Sequence, residues 1–162
     1  MGYSAPTTRT TGDLITAAIW NQDVVDNENA AFPLGVGAWT SYTPTLTQNA
    51  TLTKTVNYAK YQRIGRTIFV QVKLSITSAG TAGNTIKVGL PVTAADSDAL
   101  IGSFTYLDSG TQFYAGSTTG TTTTAVELMV NGATASSLGV TPAVTAASGD
   151  IVRLALTYEA AT

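Results

Sequence analysis

Catalysis needs nucleophiles, acids, bases or metal ligands, and in these 162 residues that inventory is short. Cysteine and histidine are both absent. Their absence excludes Ser-His-Asp and Cys-His catalysis, disulfides, the usual zinc sites and histidine-based pH sensing. Ten carboxylates remain. Two carboxylates suffice for glycoside hydrolysis, but their pairing is spatial and no spacing here marks a pair. Asp96-Ser97-Asp98 follows Pro91 and has the look of a calcium loop. Calcium takes about six to eight oxygens, and no glutamate follows at a suitable distance, so a solvated loop is expected. The glycines spell neither GxxxxGK[ST] nor GxGxxG after a strand, which leaves no phosphate loop. The expectation is a non-enzymatic protein with no cofactor and no metal.

The side chains with recognisable binding chemistry are aromatic. Phe69 falls on the polar side of an alternating segment, Phe104 and Tyr106 share one face of another, and Phe113-Tyr114 follow a glycine-containing turn. Aromatics beside small polar residues suit sugar stacking, a subunit interface or simple core packing. Phe69, Tyr106, Phe113 and Tyr114 are therefore the candidate interface or glycan contacts. Residues 54–87 hold six basic residues (Lys54, Lys60, Arg63, Arg66, Lys73, Lys87) and no acidic one. Six charges spread so widely are thin for a nucleic-acid surface, so pairing with acidic residues of neighbouring strands is expected and no nucleic-acid partner is.

The elements that must position these residues are mostly strands. Only 11% of the chain is charged, against roughly 25% in an average soluble domain. Threonine occupies 30 positions; it is β-branched, favours a pleated surface and keeps that surface wet without charge. Over residues 67–76, Ile68, Val70, Val72, Leu74 and Ile76 alternate with Phe69, Gln71, Lys73 and Ser75, the pattern of a half-buried antiparallel strand. Shorter patterns mark 54–64, 85–90, 100–107, 111–115, 122–130 and 150–159. Turn signals at Gly65, Gly83-Asn84, Asn131-Gly132 and Gly149 separate them. The fold class this predicts is mainly β, an antiparallel β-sandwich or jelly roll, because no second helix is available for βαβ crossovers. The low-complexity run at 117–124 reads as a solvated strand pair or a loop.

One helix precedes the strands. Residues 1–11 read as an extended arm, Thr16 as an N-cap with Ile15 and Trp20 at staple positions, and 17–31 as the helix. Trp20, Val24 and Ala31 form a narrow apolar stripe with Ile19 beside it, and Asp23, Asp26 and Glu28 lie opposite. Pro33 and the Gly35/Gly37 pair end it. This divides the chain into an anchoring or oligomerising arm and helix at 1–37 and a β-domain at 38–162. No apolar run reaches the length of a membrane span, and the N-terminus lacks the regions of a secretory signal, so no membrane insertion and no export by the general secretory route are expected.

Two stretches resemble a known kind of protein. Residues 12–21, GDLITAAIWN, resemble the Gly-(Asp/Glu)-x-Ile-Thr-Ala-x-x-Trp-Asn opening of many tailed-bacteriophage structural proteins, where it precedes a short helix in fibre, spike or decoration subunits. Residues 39–47, WTSYTPTLT, with 61–70, YQRIGRTIFV, and the later Gly89-Leu90-Pro91-Val92, are similar to the pattern of small phage β-domains. The resemblance covers most of residues 12–92. It implies a homotrimeric virion structural protein of head-fibre, capsid-decoration or tail-fibre type, on the virion surface and assembled in the host cytoplasm. The implied partners are two further copies of itself, other capsid or tail proteins and, in the alternative reading, a host-surface glycan recognised by a tail fibre. Ile15, Ile19, Trp20 and Val24 are the expected particle-anchoring or trimer contacts.

Overall fold

The computed structural model describes residues 8, 10–27, 38–131 and 136–162. The chain divides into two compact units, Met1–Ala38 and Trp39–Thr162.

In the first unit, helix α1 spans Ala17–Trp20 and continues as a π-helical turn over Asn21–Asp26. Thr16 caps it as expected: its backbone is extended and its Oγ1 accepts the Ile19 N–H at 3.4 Å. The π-helical turn is wider than an α turn, so the side chains after Trp20 depart from the 3.6-residue spacing on which the apolar stripe was drawn. Glu28, Ala31 and the expected helix end at 28–31 lie outside the described residues. Neither helical segment buries a residue.

The second unit is a single curled antiparallel sheet of sandwich or jelly-roll type. Its strands are β1 (Thr40–Ser41), β2 (Leu46–Gln48), β3 (Ala50–Thr51), β4 (Lys54–Ile64), β5 (Thr67–Ile76), β6 (Ile86–Gly89), β7 (Gly102–Asp108), β8 (Gln112–Thr122), β9 (Ala125–Val130), β10 (Ser136–Ser137) and β11 (Ile151–Glu159). Across the sheet they run β1-β4-β5-β11-β7-β8-β9-β6-β2-β3, with β10 on β9. The C-terminal strand β11 is thus inserted between β5 and β7, which makes it a central strand. Curling brings the inner faces of both ends onto one core, where Leu46 of β2 joins Leu74 of β5, Leu128 of β9 and Val152 of β11. Bulges at Val56/Tyr58 and Gly120/Thr122 add local twist to this curl.

Local chemistry explains the joints. Ile64 and Thr67 pair directly, and Gly65 adopts φ +60° at the first of the two residues between them, a position that a primed turn reserves for glycine. At Gly116 a Cβ would collide with the Met129 carbonyl and lie 2.8 Å from the Phe104 ring, so only glycine lets β7, β8 and β9 close up there. Two buried polar side chains hold the long segment before β11. Gln48 donates to the carbonyls of Asn84 and Val144 (3.0 and 2.7 Å) and accepts the Ala146 N–H at 2.9 Å. Asp150 accepts from Tyr106 Oη (2.6 Å) and from the Ala147 and Ser109 amides (2.8 and 2.9 Å). Each satisfies buried groups that no strand ladder reaches.

The run at 117–124 is largely strand: β8 continues to Thr122, and Thr118 is buried with its hydroxyl donating to the Leu100 carbonyl at 3.2 Å.

Candidate functional site

Alternation decides which side chains the sheet offers to solvent. On β5 the even-numbered residues from Ile68 to Ile76 are buried and Phe69, Gln71, Lys73 and Ser75 point outward. Antiparallel pairing then lines up rows across the outer face. Gln62, Phe69 and Thr157 form one row; Lys60, Gln71, Ala155 and Ser103 the next; Tyr58, Lys73, Arg153 and Thr105 the third. Ala155 and Ser103 are short, while Arg153 and Ile101 on the same face of their strands are long. The outcome is a trough running along the strands, made of two hollows of about 610 and 410 Å³ that share Gln71, Ser103 and Ala155.

The two ends of the trough differ in chemistry. One end is apolar, lined by Trp39, Ile64, Phe69 and Ile101, the last of these 69% exposed. The other is cationic. Lys73 and Arg153 stand opposite each other across β5 and β11, and Tyr58, Lys73's partner on β4, lies 5.3 Å beneath the Lys60 ammonium. Elsewhere the expected pairing with acids occurs: Arg66 meets Glu159 at 3.0 Å and Lys87 meets Glu127 at 2.8 Å. Burial alone would raise the Glu127 carboxyl, but hydrogen bonds from Lys87, Thr121 and Ser137 with the lysine charge outweigh it, and the group titrates below its ordinary value. Burial pushes the Tyr158 hydroxyl up to about 12 and the Tyr106 hydroxyl further still, the latter helped by the Asp150 carboxylate. Both tyrosines stay neutral over the physiological range.

The aromatic candidates separate. Tyr106 is fully buried and offers no surface to a ligand in this fold; Tyr114 is half-buried against the core with its ring 6.5 Å from that of Tyr106. Strand parity points both toward the core. Phe113 faces outward at the start of β8, 54% exposed, and Phe69 lies in the trough. Of the anchoring candidates, Ile15 and Trp20 are exposed and Ile19 and Val24 half-buried within the first unit. Asp96 accepts the Asp98 amide at 2.9 Å, closing a local turn, and both residues are exposed. Trp39, Ile101 and Arg153 line the trough and were missed in the sequence, because the insertion of β11 between β5 and β7 is what gathers them.

No protein-family model, curated protein or solved structure matches this chain.

Proposed function

We propose that this chain is a non-enzymatic structural protein of a tailed-bacteriophage virion: a homotrimeric surface fibre, spike or capsid-decoration subunit attached through its N-terminal arm. The observation that carries the reading is the apolar surface of the first unit. Leu14 and Ile15 are 81% and 61% exposed, Trp20 is 54% exposed, and the helical turns bury nothing. Apolar surface held in water forgoes about 25 cal/mol per Å², and isolated helices shorter than about 12–15 residues are marginal in water. Such a segment is stabilised by a partner surface, either a capsid or tail protein or the same helix of two sister subunits. The phage-like GDLITAAIWN opening lies on this segment. Deletion of residues 1–32 is expected to abolish incorporation into virions; full occupancy by the truncated protein would overturn the anchoring role. Light scattering of the eluted full-length protein is expected to give a trimer, and a monomer at micromolar concentration would overturn that assembly.

The trough favours a second reading, a host-glycan-recognition module. It offers outward aromatic faces beside amide and hydroxyl side chains, the combination that stacks on and hydrogen-bonds to sugars.

A further inference from the structure

Lys73 and Arg153 are Cα partners on adjacent strands, both line the trough, and their charges are of like sign. Like charges directly opposite one another destabilise a sheet. Among the described residues the ion pairs are Arg66–Glu159 and Lys87–Glu127, so neither Lys73 nor Arg153 has an acidic partner. Lys60, one row away, adds a third cation whose contact is the Tyr58 ring. The fold draws no benefit from setting Lys73 opposite Arg153, whereas an external anion between them would offset their repulsion.

We propose that the trough binds an acidic oligosaccharide, with a carboxylate between Lys73 and Arg153 and a pyranose face against Phe69 and Trp39. This rests on the glycan-recognition reading and narrows it to one site and one charge class. Lys73 lies four residues beyond Phe69 on β5, about 13 Å at roughly 3.3 Å per residue, so the ligand is a chain of sugars rather than one. Between the two ends stand Gln71 and Ser103, which both donate and accept hydrogen bonds as sugar hydroxyls do, and the small Ala155. A nucleic acid carries a charge at every nucleotide and would need cations along the whole trough; here they sit at one end. An extended peptide takes main-chain hydrogen bonds from a free strand edge, but β5 and β11 are paired on both sides.

The test is calorimetric titration of the full-length protein with tetragalacturonate, tetramannuronate and the α2,8-linked sialic acid tetramer. Galactotetraose and mannotetraose serve as the neutral arms, with tetraglutamate and dT4 as competing classes. At least one acidic tetramer is expected to bind at least tenfold more tightly than the neutral ones. Lys73→Ala with Arg153→Ala is expected to weaken it at least tenfold, and Ala155→Trp, which fills the floor from the solvent side, to abolish it. Lys54→Ala, outside the trough, should leave binding unchanged, and unaltered circular dichroism with a Tm no lower than that of the parent protein establishes that the variants fold. Equal binding of neutral and acidic tetramers, lost in Phe69→Ala, would overturn the acidic class while leaving glycan recognition standing. Absence of binding by all five sugar tetramers would overturn both. Tighter binding of tetraglutamate or dT4 than of any acidic sugar would overturn the proposal in favour of a peptide or a nucleic acid.

Discussion

At the scale of single residues, the polar groups divide into those the fold has paired and those it has left facing water. The buried Asp150 accepts from three donors, the buried Tyr106 hydroxyl and two part-buried backbone amides. Asp150→Ala strands all three, and since hydrogen bonds to a charged group contribute about 1.5–3 kcal/mol each, a loss of at least about 3 kcal/mol in urea denaturation is expected. Glu127 gives the pH dependence. Its folded pKa lies below the unfolded one, so its contribution is fully present above the unfolded value near 4.5 and is lost as pH falls through the folded value. In Glu127→Gln that segment of the acid-side stability profile is expected to flatten, as thermal melts between pH 2 and 6 would record. Lys73→Ala runs the opposite way. Relief of a cross-strand like-charge pair is expected to stabilise the protein by about 0.2–1 kcal/mol at low salt, with the gain shrinking as salt screens the pair.

At the scale of elements, alternation was the legible signal wherever apolar residues carried it. The expected strands at 54–64 and 67–76 coincide with β4 and β5 because a two-residue loop fixes their register and five apolar residues fix the buried face of β5. Leu74→Ala on that face is expected to cost about 2–5 kcal/mol, while Gln71→Ala on the other should stay within about 0.5 kcal/mol. The pattern failed at the far end of β8. Gly, Ser and Thr at 116–122 carry no apolar alternation, so the sequence leaves a solvated strand pair and a loop both open beyond 115; β7 pairs with β8 as far as Thr118 and β9 as far as Thr122. Pairing on both edges overrides weak local preference there. Gly116→Val would force a side chain into the Met129 carbonyl and the Phe104 ring, and a loss of at least about 2 kcal/mol in the same denaturation experiment is expected.

At the scale of the whole molecule, the β-unit has its own continuous core, drawing on strands from β2 to β11. Residues 39–162 produced alone are expected to unfold cooperatively, with coincident fluorescence and circular-dichroism transitions. The candidate site belongs to this scale as well. Phe69 was legible as an outward aromatic from its parity on one strand, but the trough is not a property of one strand. Its cations, Lys73 and Arg153, come from β5 and β11, distant in sequence, and its floor is Ala155 of the last strand.

Periodicity, turn residues and the missing cysteines and histidines are local or compositional properties, so the sequence by itself determined the β class, the limits of β4 and β5, the approximate places of β6, β7, β9 and β11, the capped helix start and the empty inventory of His- and Cys-based chemistry; the short strands β1, β2, β3 and β10 carry no such pattern. Strand order and side-chain neighbours depend on which distant segments pair, and only the tertiary structure decided them. It sent Tyr106 inward to Asp150, set Lys73 opposite Arg153 and, by seating β11 between β5 and β7, gathered three rows of outward side chains into one trough.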